Sequence, residues 1–188
     1  MLCGDSSMAE QDMFQSQDGG SIPTSPLQLK IVELNVFTAC EYNQRWHSRL
    51  PKIDWSNVVR NKYYVCYGAS FENKCYAIGI WSSPVSLSLS KAEPETIIEL
   101  RRMAISPEAP KNTASRMISI MVIMIRKKFP KINRFISYQD TVVHKGTIYK
   151  ASGWTPKYYT KNVPWGISRK RNREQTMADK IRWEFTTK

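Results

Sequence analysis

The residues of this 188-residue chain that could move protons are few. His47 is one of two histidines. With an ordinary pKa of about 6.5 it suits a general base toward an amine, a metal ligand or a purely structural role. Asp140 ends the strand-like stretch Ser137–Asp140, where it could accept a proton from an amine, orient a substrate or bind loop amides. Tyr138 precedes it and is expected on the opposite face of the strand, so that the two do not share one cleft. Tyr149 opens the string Tyr149-Lys150-Ala151-Ser152-Gly153-Trp154 and could donate a proton to a leaving group or pack as a core aromatic. Iron accepts mixed His and carboxylate donors such as His47, Tyr138 and Asp140 could offer, but no ligand spacing demands a metal and none is assigned.

A second kind of chemistry lies at a helix start. Residues 106–112 form a Pro-punctuated loop that runs into Thr113–Lys128. There Met117, Ile120, Met121, Met124 and Ile125 recur at helical spacing, with Asn112 or Thr113 as the N-cap. Such an end presents unpaired N–H groups and a positive dipole end, which suit a phosphate. The small side chains of Thr113, Ala114 and Ser115 allow close approach, and Lys111 and Arg116 add charge.

The elements that must position these groups follow from patterning. Leu29–Phe37 reads as a strand and Thr38–Arg49 as a short helix stopped by Pro51. Tyr63–Ala69 and Cys75–Trp81 form a hairpin around Glu72-Asn73-Lys74. Residues 82–94 read as a loop, Thr96–Ile105 as a longer strand and Arg134–Tyr138 as a buried one. Thr147–Ala151 reads as a short helix ended by Gly153, and the tail from Trp154 holds two more strands. Residues 1–25, lacking apolar periodicity, form a disordered leading segment or a cloning remnant, and 26–188 form one domain with a basic C-terminal extension. Arg101 and Arg102, adjacent on a strand, are expected on opposite faces.

No apolar run approaches the roughly 20 residues of a membrane span, and the start lacks the features of a secretory signal. Four cysteines without a CxxC pair read as reduced thiols of a cytoplasmic protein. The formal charge is +12, although residues 1–25 carry four acids and no Lys or Arg. A fold this basic points to a polyanionic partner, because cations beside phosphates release counterions. An anionic cofactor would account for part of the same charge. The acid-free interval Lys111–Arg134 holds seven basic residues, although Arg126–Lys128 also suit a helix C-terminus. Residues 150–188 carry ten basic and three acidic residues, interleaved with Trp154, Tyr158, Tyr159, Trp165, Trp183 and Phe185. Cations beside aromatic faces that can stack a base suit an enzyme acting on DNA, single-stranded or with the base flipped out. Arg101, Lys157, Trp165, Arg169, Lys170, Arg171 and Arg173 are the candidate nucleic-acid contacts. The run Arg169–Arg173 reads alternatively as a solvated loop.

The element order predicts an α+β fold with a mixed, largely antiparallel sheet flanked by helices. A long strand leading through a loop into an amphipathic helix, with Tyr149 to Trp154 downstream, resembles the GNAT acetyltransferase fold. That resemblance implies acetyl-CoA or another CoA thioester as cofactor. Its diphosphate would lie on Lys111, Asn112, Thr113, Ala114, Ser115 and Arg116, beside the strand end Met103, Ala104 and Ile105. It also implies Tyr149 near the sulfur as a general acid. The usual glycine-rich version of this loop is absent.

Four blocks in order, Glu99 to Met103, Pro110 to Arg116, Ser137 to Asp140 and Gly146 to Trp154, with His47 to Pro51 upstream, are similar to the phage Mom-type DNA modification proteins. This narrower resemblance covers roughly residues 45–185. It implies a carbamoylmethyl-type change at adenine N6 in DNA, an anti-restriction role, and His47 and Asp140 on the substrate side. It also brings iron into consideration. Lys111 and Ala114 depart from the Arg and Glu expected of that family at those positions, and residues 140–146 lack its early Gly-His pair. An ordinary N-acetyltransferase acting on a protein lysine, a small amine or aminoacyl-tRNA is the alternative, and a catalytically silent nucleic-acid-binding module is a third reading. The partner implied is DNA and not a membrane, with a homodimer left open.

Overall fold

The computed structural model describes residues 29–46, 52–92, 95–161 and 178–187. The elements in chain order are β1 (Lys30–Leu34), α1 (Val36–Trp46), α2 (Trp55–Val59), β2 (Tyr64–Phe71), β3 (Lys74–Ser82), α3 (Leu87–Ala92), β4 (Ile97–Ile105), α4 (Thr113–Lys128), β5 (Arg134–Asp140), α5 (Thr147–Ala151), β6 (Thr155–Thr160) and β7 (Lys180–Thr186). The strands form one seven-stranded sheet in the order β1-β2-β3-β4-β5-β7-β6. Every neighbouring pair is antiparallel except β4 with β5. This is the α+β architecture that the patterning predicts.

Local chemistry moves some boundaries. The first strand stops at Leu34, short of the expected Phe37. The Asn35 carboxamide accepts from the Phe37 amide at 2.8 Å, so α1 starts at Val36 and not at Thr38. Asp54 likewise caps α2, accepting from the Ser56 amide at 2.9 Å. The stretch 82–94, expected as loop, contains the short helix α3.

The sheet carries a core on each face. On one, Trp81, Ile98, Leu100, Phe135 and Trp183 pack under Met117, Ile118, Met121 and Ile125 of α4. On the other, Ile78, Ile80 and Ala104 pack under Ala39 and Cys40 of α1 and Val58 of α2. Among the strands, α1 packs chiefly on β2, β3 and β4. The α1-side face of β5, β7 and β6 therefore carries none of the described helices as a principal neighbour.

Helix α5 is fixed at both ends. Gly146 caps its start at φ +71°, and a Cβ there would meet Gln139 Oε1 and a Trp183 ring carbon, each at 2.5 Å. At the other end Gly153, at φ +77°, donates to the Lys150 carbonyl while Trp154 donates to that of Tyr149, a Schellman closure. This pair of bonds fixes Tyr149 one turn below Trp154, where the two rings pack together.

Candidate active site

The start of α4 is open to a ligand. Asn112 holds the cap position in the left-handed conformation, φ 65°, and makes no side-chain capping bond. The Thr113 amide meets the Pro110 carbonyl at 3.2 Å, and the Arg116 amide meets that of Asn112 at 3.1 Å. Between them, the amides of Ala114 and Ser115 have no acceptor among the described residues. The hydroxyls of Thr113 and Ser115 donate to the Pro110 and Asn112 carbonyls and do not compete for these two amides. A groove of about 210 Å³ lies here, lined by Ile105, Pro110, the turn Asn112–Ser115, and Thr147, Ile148 and Ala151 of α5. The Ile105 wall belongs to β4. Met103 is half-buried against the α4-side core and Ala104 is buried in the α1-side core, and neither lines the groove. Lys111 and Arg116 are exposed beside the turn and do not line the groove.

Strands β4 and β5 part just inside this turn. Their parallel pairing ends at Leu100 with Ser137, although β4 continues to Ile105 and β5 to Asp140. At the parting the Ser137 hydroxyl donates to the Leu100 carbonyl at 3.0 Å, and the Tyr149 hydroxyl lies 2.8 Å from Ser137 Oγ. Ser137 has one hydroxyl hydrogen, so the phenol donates to it. Tyr149 is 7% exposed, stacks on Trp183 with centroids 5.5 Å apart, and does not line the groove. Burial pushes its pKa up, against the opposing effect of the Ser137 bond, so the phenol stays protonated through the neutral range.

A β-bulge sits at the same place. Ile80 pairs with Arg102 but Trp81 pairs with Leu100, which leaves Arg101 without a partner on β3. The bulge overturns the expected alternation of the two arginines: both act on Glu99 of the α1-side face. Arg101 reaches Ser82 Oγ at 3.5 Å, and Arg102 donates to the Arg101 carbonyl at 2.8 Å. Buried Arg102 Nε has no partner among the described residues.

Glu99 itself is 7% exposed, and its Oε2 accepts from the Val85 amide at 3.0 Å. Burial raises its pKa; the Val85 amide, Arg101, Arg102 and Lys180 pull the other way. Tyr138 faces the same space. Its pKa is raised by burial and by Glu99, and opposed by a hydrogen bond from Arg182. Asp140 shares this face, against the expectation that it and Tyr138 oppose each other. Residues two apart on a strand point the same way, and the two pair across to Arg182 and Lys180. The Asp140 carboxylate accepts from the Val142 and Val143 amides at 3.0 and 3.3 Å and so pins the turn after β5.

The parting of β4 and β5 thus separates a groove with two bare amides from a face with a buried carboxylate. A model of the family described as "Mom protein family" matches residues 36–185. The chain belongs to the Mom protein family. No curated protein sequence matches it. Its fold is similar to solved GNAT structures. The ribosomal-protein-S18-alanine N-acetyltransferase of Escherichia coli is 14% identical, with a TM-score of 0.57 over 85% of this chain and 94% of that one. A GNAT family acetyltransferase from Elizabethkingia anophelis, solved with acetyl-CoA bound, is 12% identical, with a TM-score of 0.58 over 85% and 98%. An IAA acetyltransferase from Bacillus cereus is 8% identical, with a TM-score of 0.60 over 85% and 100%. At these identities the likeness shows the fold: this Mom family member has a GNAT architecture.

The Mom family chain sorts the remaining sequence candidates by burial and pairing. His47, Trp165, Arg169, Lys170, Arg171 and Arg173 lie outside the described residues, as do residues 1–28. Lys157 is exposed on β6. Of the interleaved aromatics, Trp154 and Trp183 are buried and Phe185 packs against the core, whereas Tyr158 and Tyr159 are 58% and 57% exposed. Part of the acid-free stretch is paired: Lys128 with Glu33, Lys131 with Glu95 at 2.7 Å, and Arg134 with Glu184 at 3.0 Å. Cys40, Cys66 and Cys75 are buried free thiols. Burial pushes Cys66 up to about 12 and Cys75 to about 11, which disqualifies both as nucleophiles near neutral pH. Among the described residues no three His, Cys, Asp or Glu side chains gather as a metal site, and no helix is long and apolar enough to cross a membrane.

Sequence reasoning gave no role to Glu99 or Ser137. Each is a polar residue inside an apolar strand, a legible signal for Glu99 in Ile97-Ile98-Glu99-Leu100.

Proposed function

We propose that this protein transfers an acyl group from a CoA thioester to the N6 amine of adenine in DNA. The observation that carries the reading is the pair of bare amides at Ala114 and Ser115 on the wall of a groove. Two adjacent N–H donors at a helix start, with no capping side chain, suit a diphosphate. The Ala114 and Ser115 amides would hold it, with Lys111 and Arg116 adding charge from exposed positions. A bound CoA thioester supplies an activated acyl carbon and a thiolate leaving group.

The chain's own groups supply the proton transfers. Glu99 accepts a proton from N6 as the nitrogen–carbon bond forms, and its raised pKa makes it a stronger base than an exposed carboxylate. Tyr149, held protonated, returns a proton to the departing sulfur, exchanging its Ser137 bond to do so. Direct transfer leaves an amide on N6. The carbamoylmethyl product implied by the resemblance needs chemistry beyond this step, and no residue here is assigned to it. Family membership and the basic charge support DNA as the acceptor. The N6 amine is paired inside a duplex, so the base is flipped out or the strand is single.

The test is mass spectrometry of nucleosides from the DNA of cells expressing the chain. The reading predicts a heavier deoxyadenosine that disappears with Glu99→Gln. Unmodified DNA alongside acetylated tRNA or protein would transfer the assignment to an ordinary N-acetyltransferase.

A further inference from the structure

Three side chains stand in line across the α1-side face of the outer strands. Arg182 of β7 pairs directly with Tyr138 of β5 on one side and with Tyr158 of β6 on the other. Directly paired residues share a face. The contacts agree: Arg182 is close enough to Tyr138 to oppose the rise in its pKa, and its guanidinium lies 3.9 Å from the centre of the Tyr158 ring. Glu184, on the same face, is engaged by both Arg134 and Arg182, so one carboxylate answers two guanidiniums. Lys180 lies one pair further along, and Lys157 is the extra residue of a bulge in β6. β6 is the edge of the sheet, and every residue of it is exposed.

The row begins beside Glu99 and ends at the exposed ring of Tyr158. Tyr138 and Tyr158 are two strands apart, about 10 Å. That span equals roughly three stacked nucleotides at about 3.4 Å each. One face of the Tyr158 ring is taken by the guanidinium, which fixes its plane, while the residue remains 58% exposed. A fixed aromatic plane flanked by lysines accepts a base by stacking and its phosphates by charge, which is how single strands are held without sequence readout.

We propose that the Tyr138–Arg182–Tyr158 row is the track for a single-stranded DNA segment, with a nucleotide flanking the modified base stacked on Tyr158. The proposal rests on the reading above only in taking DNA as the acceptor. It differs from that reading in what it places: a stacking site at the sheet edge, on residues that do not line the groove.

The test is fluorescence anisotropy of an end-labelled, adenine-containing single-stranded DNA oligonucleotide with the full chain at fixed salt. Tyr158→Ala should weaken binding roughly 5- to 150-fold, the loss of one stacked base. Tyr158→Phe should bind like the unaltered chain, and the thermal midpoint of both should hold, since Tyr158 is exposed. Repeated over a series of salt concentrations, the titration of Lys157→Ala should show a slope of log affinity against log salt lowered by about 0.7. DNA binding that is absent, or unchanged in Tyr158→Ala, overturns the track, as does tighter binding of the same-sequence RNA. A parallel calorimetric titration with acetyl-CoA separates the two claims. Acetyl-CoA binding with no effect of Tyr158→Ala sinks the track alone; an effect of Tyr158→Ala without acetyl-CoA binding sinks the acyltransferase reading alone.

Discussion

Replacing Ser115 with aspartate should separate folding from cofactor binding. Ser115 is the third residue after the cap of α4, and the side chain there spends its hydroxyl on the Asn112 carbonyl. An acid in the first turn of a helix favours the fold by about 0.3–1 kcal/mol through the helix dipole. No acid occupies that turn now. The same charge beside the Ala114 and Ser115 amides opposes a diphosphate. At about 5 Å and an effective dielectric of about 20, one pair of like charges costs about 3 kcal/mol, or roughly 150-fold in affinity. Isothermal titration with acetyl-CoA reads the loss, and a thermal melt reads the fold. Ser115→Asn, uncharged and of similar size, is the control that keeps affinity. Raising the salt to about 1 M shortens the screening length to about 3 Å and should recover part of the loss. A folded Ser115→Asp chain that binds acetyl-CoA as the unaltered chain does would refute the reasoning.

Other substitutions test separate joints of the account. Glu99 has a raised pKa in the fold, so its contribution to stability is fully present below the unfolded glutamate value of about 4.3 and is lost as pH rises through the folded value. Glu99→Gln should therefore raise the melting temperature more at pH 8 than at pH 4, while kcat/KM falls about 10²- to 10⁴-fold; equal shifts at both pH values would contradict the burial argument. Tyr149→Phe removes one buried hydrogen bond, a loss of about 0.5–1.5 kcal/mol in a melt, and should lower turnover without changing acetyl-CoA affinity. Gly146→Ala should cost about 2–5 kcal/mol by denaturant titration, from the positive φ and the 2.5 Å approach to Gln139 and Trp183; a loss below about 0.5 kcal/mol would show that the turn relaxes.

The part of the site that was legible in the sequence is local. Helix α4 declares itself by apolar spacing over 16 residues, and the Gly153 closure by a glycine after a short helical run. Helices α2 and α3, of five and six residues, are too short for periodicity to register. The bulge at Arg101 is a property of register against β3, which no single strand encodes. Which aromatics of the tail stack with a ligand and which fill the core was also hidden. Trp183 and Tyr158 both sit among cations in the sequence, but Trp183 gives its indole N–H to Gln139 inside the sheet while Tyr158 stands at its edge. The amides from Thr113 to Arg116 were expected as a phosphate cradle; those of Thr113 and Arg116 go to the Pro110 and Asn112 carbonyls, and the Ala114 and Ser115 amides stay open because Asn112 turns left-handed and withholds its side chain.

The central claim is that those two amides receive the cofactor. Amide chemical shifts followed during a titration of the isotope-labelled chain with acetyl-CoA test it most directly. The Ala114 and Ser115 signals should move furthest and saturate with one cofactor per chain. Saturable binding that leaves these two signals in place, with the largest changes elsewhere, would contradict the account.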